Sequence, residues 1–146
     1  MAAIRRSTVI WEGDLSSGSG LLSAESSGAF ASLPVTWASR VEQPDGRTSP
    51  EELLAAAHAS CFSMAFSSDL TKAGSKPERL EVTAEVTFDR VDGKSTVVSS
   101  KLSVHGRVPG LDAERFRALA EGAKNGCPIS RALAGNVALS VEAALD

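Results

Sequence analysis

The segment TSPEELLAAAHASCFSMAF, residues 48–66, constrains the fold of this 146-residue chain more than any other stretch of its sequence. Ser49 can cap a helix, Pro50 suits the first helical position, and Glu52 can complete a capping box. Beyond Glu52 the segment is rich in alanine and nearly free of charge, and a helix that apolar belongs in the middle of a core. We therefore predict one long central helix that begins at Pro50 and runs to about residue 73, where Gly74 ends it.

Most of the remaining sequence predicts β-strands. Strands are predicted, from alternating or β-branched residues between turn signals, at residues 7–12, 21–25, 30–40, 80–88, 96–108 and 137–145. Pro34 makes the third of these an edge strand or a strand with a bulge. Asp112 caps a second helix that ends at Gly126, and Cys127-Pro128 opens a short third helix. Strands, helix, hairpin, helix and strand in this order are typical of an α+β fold with a mainly antiparallel sheet.

Composition and charge exclude several kinds of protein. With 42% hydrophobic and 23% charged residues, the chain has the balance of an ordered globular protein, and its length predicts a single domain over residues 1–146. The net charge is −3 without a basic or acidic block, which gives no electrostatic case for nucleic acid or an anionic membrane as partner. No apolar run approaches the roughly 20 residues that span a bilayer, and the N-terminus does not resemble a signal peptide. We therefore expect a cytoplasmic protein.

The two cysteines, Cys61 and Cys127, are not a disulfide framework in a cytosolic chain, which leaves inert core thiols, reactive thiols and metal ligands as alternatives. Cys127 precedes Pro128 at a helix start, where unpaired N–H groups favour a thiolate. Cys61 lies in mid-helix, and burial alone would raise its pKa. Electrostatics by itself therefore favours Cys127 as the nucleophile. His58, one turn before Cys61, is a packed helix residue, a base, or half of a metal site with Cys61.

The motifs around the cysteines, PEELLAAAHASCF and GCPISRAL, resemble the OsmC/Ohr family of thiol-dependent peroxidases (osmotically inducible protein C and organic hydroperoxide resistance protein). The similarity runs from IWEGD through VPGLDAERF to the end of the chain. The resemblance implies an OsmC-like fold, in which a mainly antiparallel sheet wraps around the long central helix of an intertwined dimer. It implies catalysis without a metal, flavin or other cofactor. The substrate it implies is an organic hydroperoxide, with hydrogen peroxide as a further candidate, and the reductant is a dithiol of the lipoyl type.

The same resemblance assigns the site residues. It makes Cys61 the peroxidatic cysteine and Cys127 the resolving one, with Arg40 in WASRVEQPDG and Glu51 activating the thiolate. The Ohr branch carries its arginine earlier, where this chain reads DLSSGSGLLSAE, so the OsmC-like branch is favoured. Arg5 and Arg47 are rival cations. A thiol redox sensor or small-molecule binding protein on the same fold, and a Cys/His metal-binding protein, are the alternative functions.

The spacing between the proposed activating carboxylate and the thiol has a geometric consequence. Glu51 precedes Cys61 by ten residues, which is roughly 15 Å of rise along a helix. We therefore predict that Glu51 and Arg40 serve the Cys61 of a second subunit, with the two central helices packed antiparallel in a two-fold homodimer.

Overall fold

The computed structural model describes all residues from 1 to 146, and the chain divides into two compact units, Met1–Leu53 and Leu54–Asp146. Each unit contains its own three-stranded sheet. The longest helix, α2 (Pro50–Lys72), begins in the N-terminal unit and continues through the C-terminal one. The predicted α+β class is confirmed, while a single domain over the whole chain stays a prediction.

The N-terminal unit is an antiparallel sheet followed by a short helix. Its elements are β1 (Thr8–Glu12), β2 (Ser19–Ser23), β3 (Leu33–Val35) and α1 (Trp37–Val41), with the strands in the order β1-β2-β3. Pro34 lies on the edge strand β3, as its missing N–H predicts.

The single strand predicted over residues 30–40 is wrong in its second half, because the chain there turns into α1. Thr36 and Ser39 form a capping box: the Thr36 hydroxyl accepts from the Ser39 backbone N–H at 3.0 Å, and the Ser39 hydroxyl accepts from the Thr36 N–H at 3.0 Å. These reciprocal bonds satisfy helix-start donors and outweigh the β propensity of the local sequence. As a result Arg40 lies on a helix and not at the end of a strand.

Helix α2 has the predicted bounds within one residue. The Ser49 hydroxyl accepts from the Glu52 N–H at 3.1 Å, which is the expected cap. The Glu52 carboxylate accepts instead from the Thr48 hydroxyl at 2.7 Å, so the capping box predicted for Ser49 and Glu52 is wrong in its second half. Gly74, with φ of +88°, ends the helix in a conformation that favours glycine.

The C-terminal unit is a long hairpin, two helices and a last strand. Its elements after α2 are β4 (Arg79–Val91), β5 (Lys94–Arg107), α3 (Ala113–Gly126), α4 (Pro128–Leu133) and β6 (Ala138–Leu145). Asp92 and Gly93 form the hairpin turn with φ of 50° and 76°, as the Asp-Gly signal predicts. Strand β6 pairs with β5 in parallel, and all other strand pairs are antiparallel.

The core of the C-terminal unit is built on one face of α2. Phe62, Phe66 and Leu70 recur every four residues and are fully buried. The Phe66 ring lies 5.0 Å from that of Phe116 on α3, centroid to centroid. The opposite face of α2 includes Met64, whose side chain is 72% exposed. None of the helices combines the length and the apolar character that crossing a bilayer requires.

Candidate active site

The predicted site residues fall into two groups, and the first is the pair of cysteines in the C-terminal unit. Cys61 lies on α2, and Cys127 is the residue that joins α3 to α4. Both are free thiols, and the two residues approach to 3.0 Å. The two thiols are hydrogen-bonded to each other, so they lie close enough to form a disulfide after a small movement. The structure therefore brings together two cysteines that are far apart in sequence.

The two thiols differ in their access to solvent. Cys127 is fully buried, and it packs among the hydrophobic residues of the core. Cys61 is only partly buried. Of the two residues, Cys61 is therefore the one that is accessible from solvent.

The surroundings also separate the pKa values of the two thiols. Burial and the hydrogen bond with Cys127 raise the pKa of Cys61 above its ordinary value. Burial acts in the same direction on Cys127, but hydrogen bonds from the Ser130 backbone N–H, from the Cys61 thiol and from the Ser130 hydroxyl together lower its pKa. These two directions are those expected from the position of Cys127 at the start of α4 and of Cys61 within α2. A positive charge supplied from elsewhere would favour the thiolate of Cys61.

His58 is part of a buried polar chain that the sequence did not reveal. Its side chain is fully buried, with Nδ1 2.6 Å from the Ser100 Oγ and Nε2 2.8 Å from the Ser130 Oγ. Burial lowers the pKa of His58, so the ring is neutral at physiological pH. No group of three or more His, Cys, Asp or Glu residues is arranged to hold a metal ion.

The second group of site residues is an ion pair in the N-terminal unit. Arg40 Nη2 donates to Glu51 Oε1 at 2.7 Å, and Arg40 Nε donates to both carboxylate oxygens at 3.1 Å. The arginine side chain is 28% exposed and that of the glutamate 9%. The rival cations Arg5 and Arg47 are both exposed. The structure thus pairs the two residues that the resemblance singled out, in the fork geometry that fixes a guanidinium most firmly.

A small apolar cavity adjoins this ion pair within the N-terminal unit. Its volume is about 100 Å³, and its walls include Trp11, Leu15, Trp37 and Arg40. The guanidinium carbon of Arg40 lies 5.8 Å from the centre of the Trp37 ring, within cation–π range. A permanent cation at the edge of an apolar cavity can bind a molecule with one polar end and one hydrocarbon end.

Comparisons with known proteins point to a single family. The family model described as OsmC-like protein matches residues 43–142. The peroxiredoxin OsmC of Escherichia coli (strain K12) is 41% identical over 132 residues, which cover 90% of this chain and 91% of that protein. The organic hydroperoxide resistance protein OhrA of Bacillus subtilis (strain 168) is 32% identical over 111 residues, covering 72% and 73% of the two chains. The crystal structure of OhrB from Bacillus subtilis has the same fold, with a TM-score of 0.75 at 23% identity over 95% of this chain and 98% of that one.

Proposed function

The chain belongs to the OsmC-like protein family, and on that premise we propose that it is a cysteine-based peroxidase that reduces organic hydroperoxides, with hydrogen peroxide as a further candidate substrate. The observation that carries the proposal is the approach of two free cysteines to 3.0 Å, one of them partly exposed and the other buried. The names of the relatives, a peroxiredoxin and organic hydroperoxide resistance proteins, support the same class of reaction.

The proposed cycle begins at Cys61, the thiol that solvent can reach. Its thiolate attacks one peroxide oxygen, the O–O bond breaks, and the departing alkoxide takes a proton and leaves as an alcohol. Cys61 is then a sulfenic acid. The Cys127 thiolate attacks the sulfenic sulfur, the S–O bond breaks, and hydroxide takes a proton to leave as water. An external dithiol, which we propose to be of the lipoyl type, returns two electrons and two protons and restores both thiols.

Arg40 and Glu51 have the proposed role of activating the peroxidatic sulfur. The raised pKa of Cys61 within its own unit means that a cation must stabilise the thiolate. The Arg40 guanidinium supplies a positive charge and has further N–H groups that can bind a peroxide oxygen. Glu51, through its two-oxygen contact, fixes the plane of the guanidinium.

The proposed assembly is a two-fold homodimer in which this ion pair serves the partner's thiol. The ten-residue separation of Glu51 and Cys61 along α2, roughly 15 Å of rise, supports an action between subunits. The exposed face of α2 supports it too, because Met64 and the small polar residues beside it, Ser63 and Ser67, line an open surface recess. A second antiparallel copy of α2 would bury that apolar side chain.

The experiment that tests the function compares three proteins and two substrates. Peroxide consumption is followed with a dithiol in excess for the wild type, Cys61→Ser and Cys127→Ser, using cumene hydroperoxide and hydrogen peroxide side by side. We expect sustained turnover by the wild type, no reaction by Cys61→Ser, and one turnover ending in a sulfenic acid for Cys127→Ser. A wild type that is oxidised once without turnover would instead support a redox sensor. Activity that survives in Cys61→Ser but not in Cys127→Ser would reverse the two roles.

A further inference from the structure

The buried polar chain Ser100–His58–Ser130 leads from strand β5 to the proposed resolving cysteine, Cys127. Building on the proposed function, we infer that Ser130, oriented by His58, donates a hydrogen bond to the Cys127 sulfur and holds it ready as the attacking and leaving thiolate of the cycle. Ser130 would then touch a reacting atom, and His58 would act through it as a positioning residue. The inference depends on the direction in which the hydrogen bonds of this chain run.

Because the three side chains are buried, the direction of each hydrogen bond is set by the other groups of the chain and not by water. His58 and Ser100 are 0% exposed and Ser130 is 1% exposed, so no water competes for their hydrogens. All buried side-chain polar atoms of the protein have a partner. Each hydroxyl carries one hydrogen, and the neutral imidazole carries one on either Nδ1 or Nε2. Only two arrangements of the chain are therefore possible.

In the first arrangement the hydrogens point toward Cys127. Ser100 donates to Nδ1 at 2.6 Å, and Nε2–H donates to the Ser130 Oγ at 2.8 Å, which leaves the Ser130 hydrogen for the sulfur of Cys127. In the second arrangement Ser130 donates to Nε2, and its hydrogen is no longer available to the sulfur. A thiolate at Cys127 selects the first arrangement because it gains a donor there. The hydroxyl of Ser130 is among the groups that lower the pKa of Cys127.

The first arrangement assists both reactions of Cys127. In the condensation step a larger fraction of Cys127 is thiolate and can attack the sulfenic sulfur of Cys61. In the reduction step a dithiol thiolate attacks the accessible sulfur of Cys61, the S–S bond breaks, and the electron pair moves to Cys127, where the Ser130 hydroxyl stabilises the new anion. The second sulfur of the dithiol then displaces Cys61. Thiols of lower pKa leave faster, so the same hydrogen bond serves both steps.

The expected change in the rate of disulfide formation follows from two opposing effects of losing the Ser130 hydrogen bond. At pH values below the pKa of Cys127, the loss of one hydrogen bond to its anion lowers the thiolate fraction about tenfold. The remaining thiolate becomes about threefold more nucleophilic, since nucleophilicity rises with pKa with a slope near one half. Condensation should therefore slow by about threefold in Ser130→Ala.

The first test uses the wild-type protein. Nitrogen chemical shifts of the His58 ring identify which nitrogen carries the hydrogen, and we expect Nε2–H above the pKa of Cys127. The Nδ1–H tautomer in that pH range would overturn the inference. Since this measurement needs no variant, it decides the question even if a buried substitution prevents folding.

The second test uses variants and reads the thiol directly. In the Cys61→Ser background, thiolate absorbance gives the pKa of Cys127 for Ser130→Ala, Ser130→Thr and His58→Gln. We expect Ser130→Ala to lower the thiolate fraction about tenfold, Ser130→Thr to preserve it because the hydroxyl remains, and His58→Gln to preserve most of it because the amide N–H can still donate. The control is Ser63→Ala, a partly buried serine whose hydroxyl donates to the Ala59 carbonyl at 2.7 Å.

A Ser130→Ala pKa that matches the Ser63→Ala control would contradict the inference. Neither the tautomer nor the titration requires a peroxide, so these results separate the inference from the proposed function. A protein with the expected tautomer and pKa but without peroxide turnover would refute the function alone. A protein that turns over peroxide with the opposite tautomer would refute the inference alone.

Discussion

Replacing Glu51 with glutamine is the sharpest test of the proposed activation of the Cys61 thiol. The substitution keeps the shape of the side chain and removes its charge. The carboxylate accepts from Arg40 Nη2 at 2.7 Å and from Nε at 3.1 Å. A glutamine offers one oxygen to that pair and turns its NH₂ group toward the other donor, so one charge-assisted hydrogen bond is lost and two donors face each other.

The expected cost can be worked from this geometry. Hydrogen bonds to charged groups contribute about 1.5–3 kcal/mol. If that free energy is what orients the guanidinium in the transition state, kcat/KM falls about tenfold to a hundredfold, since each 1.36 kcal/mol is one decade. The assay is kcat/KM for cumene hydroperoxide with the dithiol at saturation, because reduction must not limit the rate.

The neighbouring carboxylate provides a matched control. Glu52 begins the same helix, is exposed, and accepts only from the Thr48 hydroxyl at 2.7 Å. Glu52→Gln should therefore leave kcat/KM within about twofold of the wild type, as expected for an exposed substitution worth less than 0.5 kcal/mol. Equal activity of Glu51→Gln and Glu52→Gln would refute the role of the ion pair. A loss of activity matched by a loss of folded protein in thermal unfolding would also refute it.

Three further predictions follow from other parts of the structure. Gly106→Ala should lower the free energy of unfolding, measured in urea, by about 1–3 kcal/mol, because the added Cβ would lie 2.5 Å from Phe116 Cζ. The control is Gly122→Ala on α3, where an added Cβ would have no atom within 4 Å. A thiol reductant added in limiting amount should form its mixed disulfide on Cys61, and peptide mass spectrometry that finds it on Cys127 would contradict the assigned leaving group. The pKa of Cys127 is lowered in the folded protein, so its contribution to the free energy of unfolding is fully present above the ordinary thiol pKa of 9.0 and is lost as the pH falls through the lowered value. The pKa of Cys61 is raised in the folded protein, so its contribution is fully present below pH 9.0 and is lost as the pH rises. Urea unfolding as a function of pH should therefore show the wild type, relative to the double variant Cys61→Ser/Cys127→Ser, gaining stability toward pH 9.0 and losing it above that pH, and parallel curves would contradict the separation of the two values.

The sequence predicted elements whose ends are fixed by local chemistry. The start of α2 follows from Ser49 and Pro50, and its end from Gly74, so short-range hydrogen bonds and backbone conformation suffice. The hairpin of β4 and β5 follows in the same way from Asp92-Gly93. Helix α1 was missed because its capping box uses serine at the third helical position, where glutamate or glutamine is the usual signal.

The parts that were not predicted depend on contacts between distant residues. Nothing local to Ser100 or Ser130 indicates that both hydroxyls meet the His58 ring, which is 42 residues from the first and 72 from the second. The parallel pairing of β6 with β5 likewise joins segments separated by two helices. Of the candidate site, the sequence supplied the cysteines and the Arg40–Glu51 pair through resemblance, whereas the groups that tune Cys127 required coordinates.

The complete burial of Cys127 determines which sulfur is exposed to irreversible damage. Overoxidation to a sulfinic acid needs a second peroxide to reach a sulfur that is already oxidised, and only Cys61 is accessible to one. In the proposed cycle, inactivation then depends on whether the disulfide closes before a second peroxide reaches Cys61. We therefore expect the tolerance of the protein to high peroxide to follow the rate at which Cys127 closes that bond.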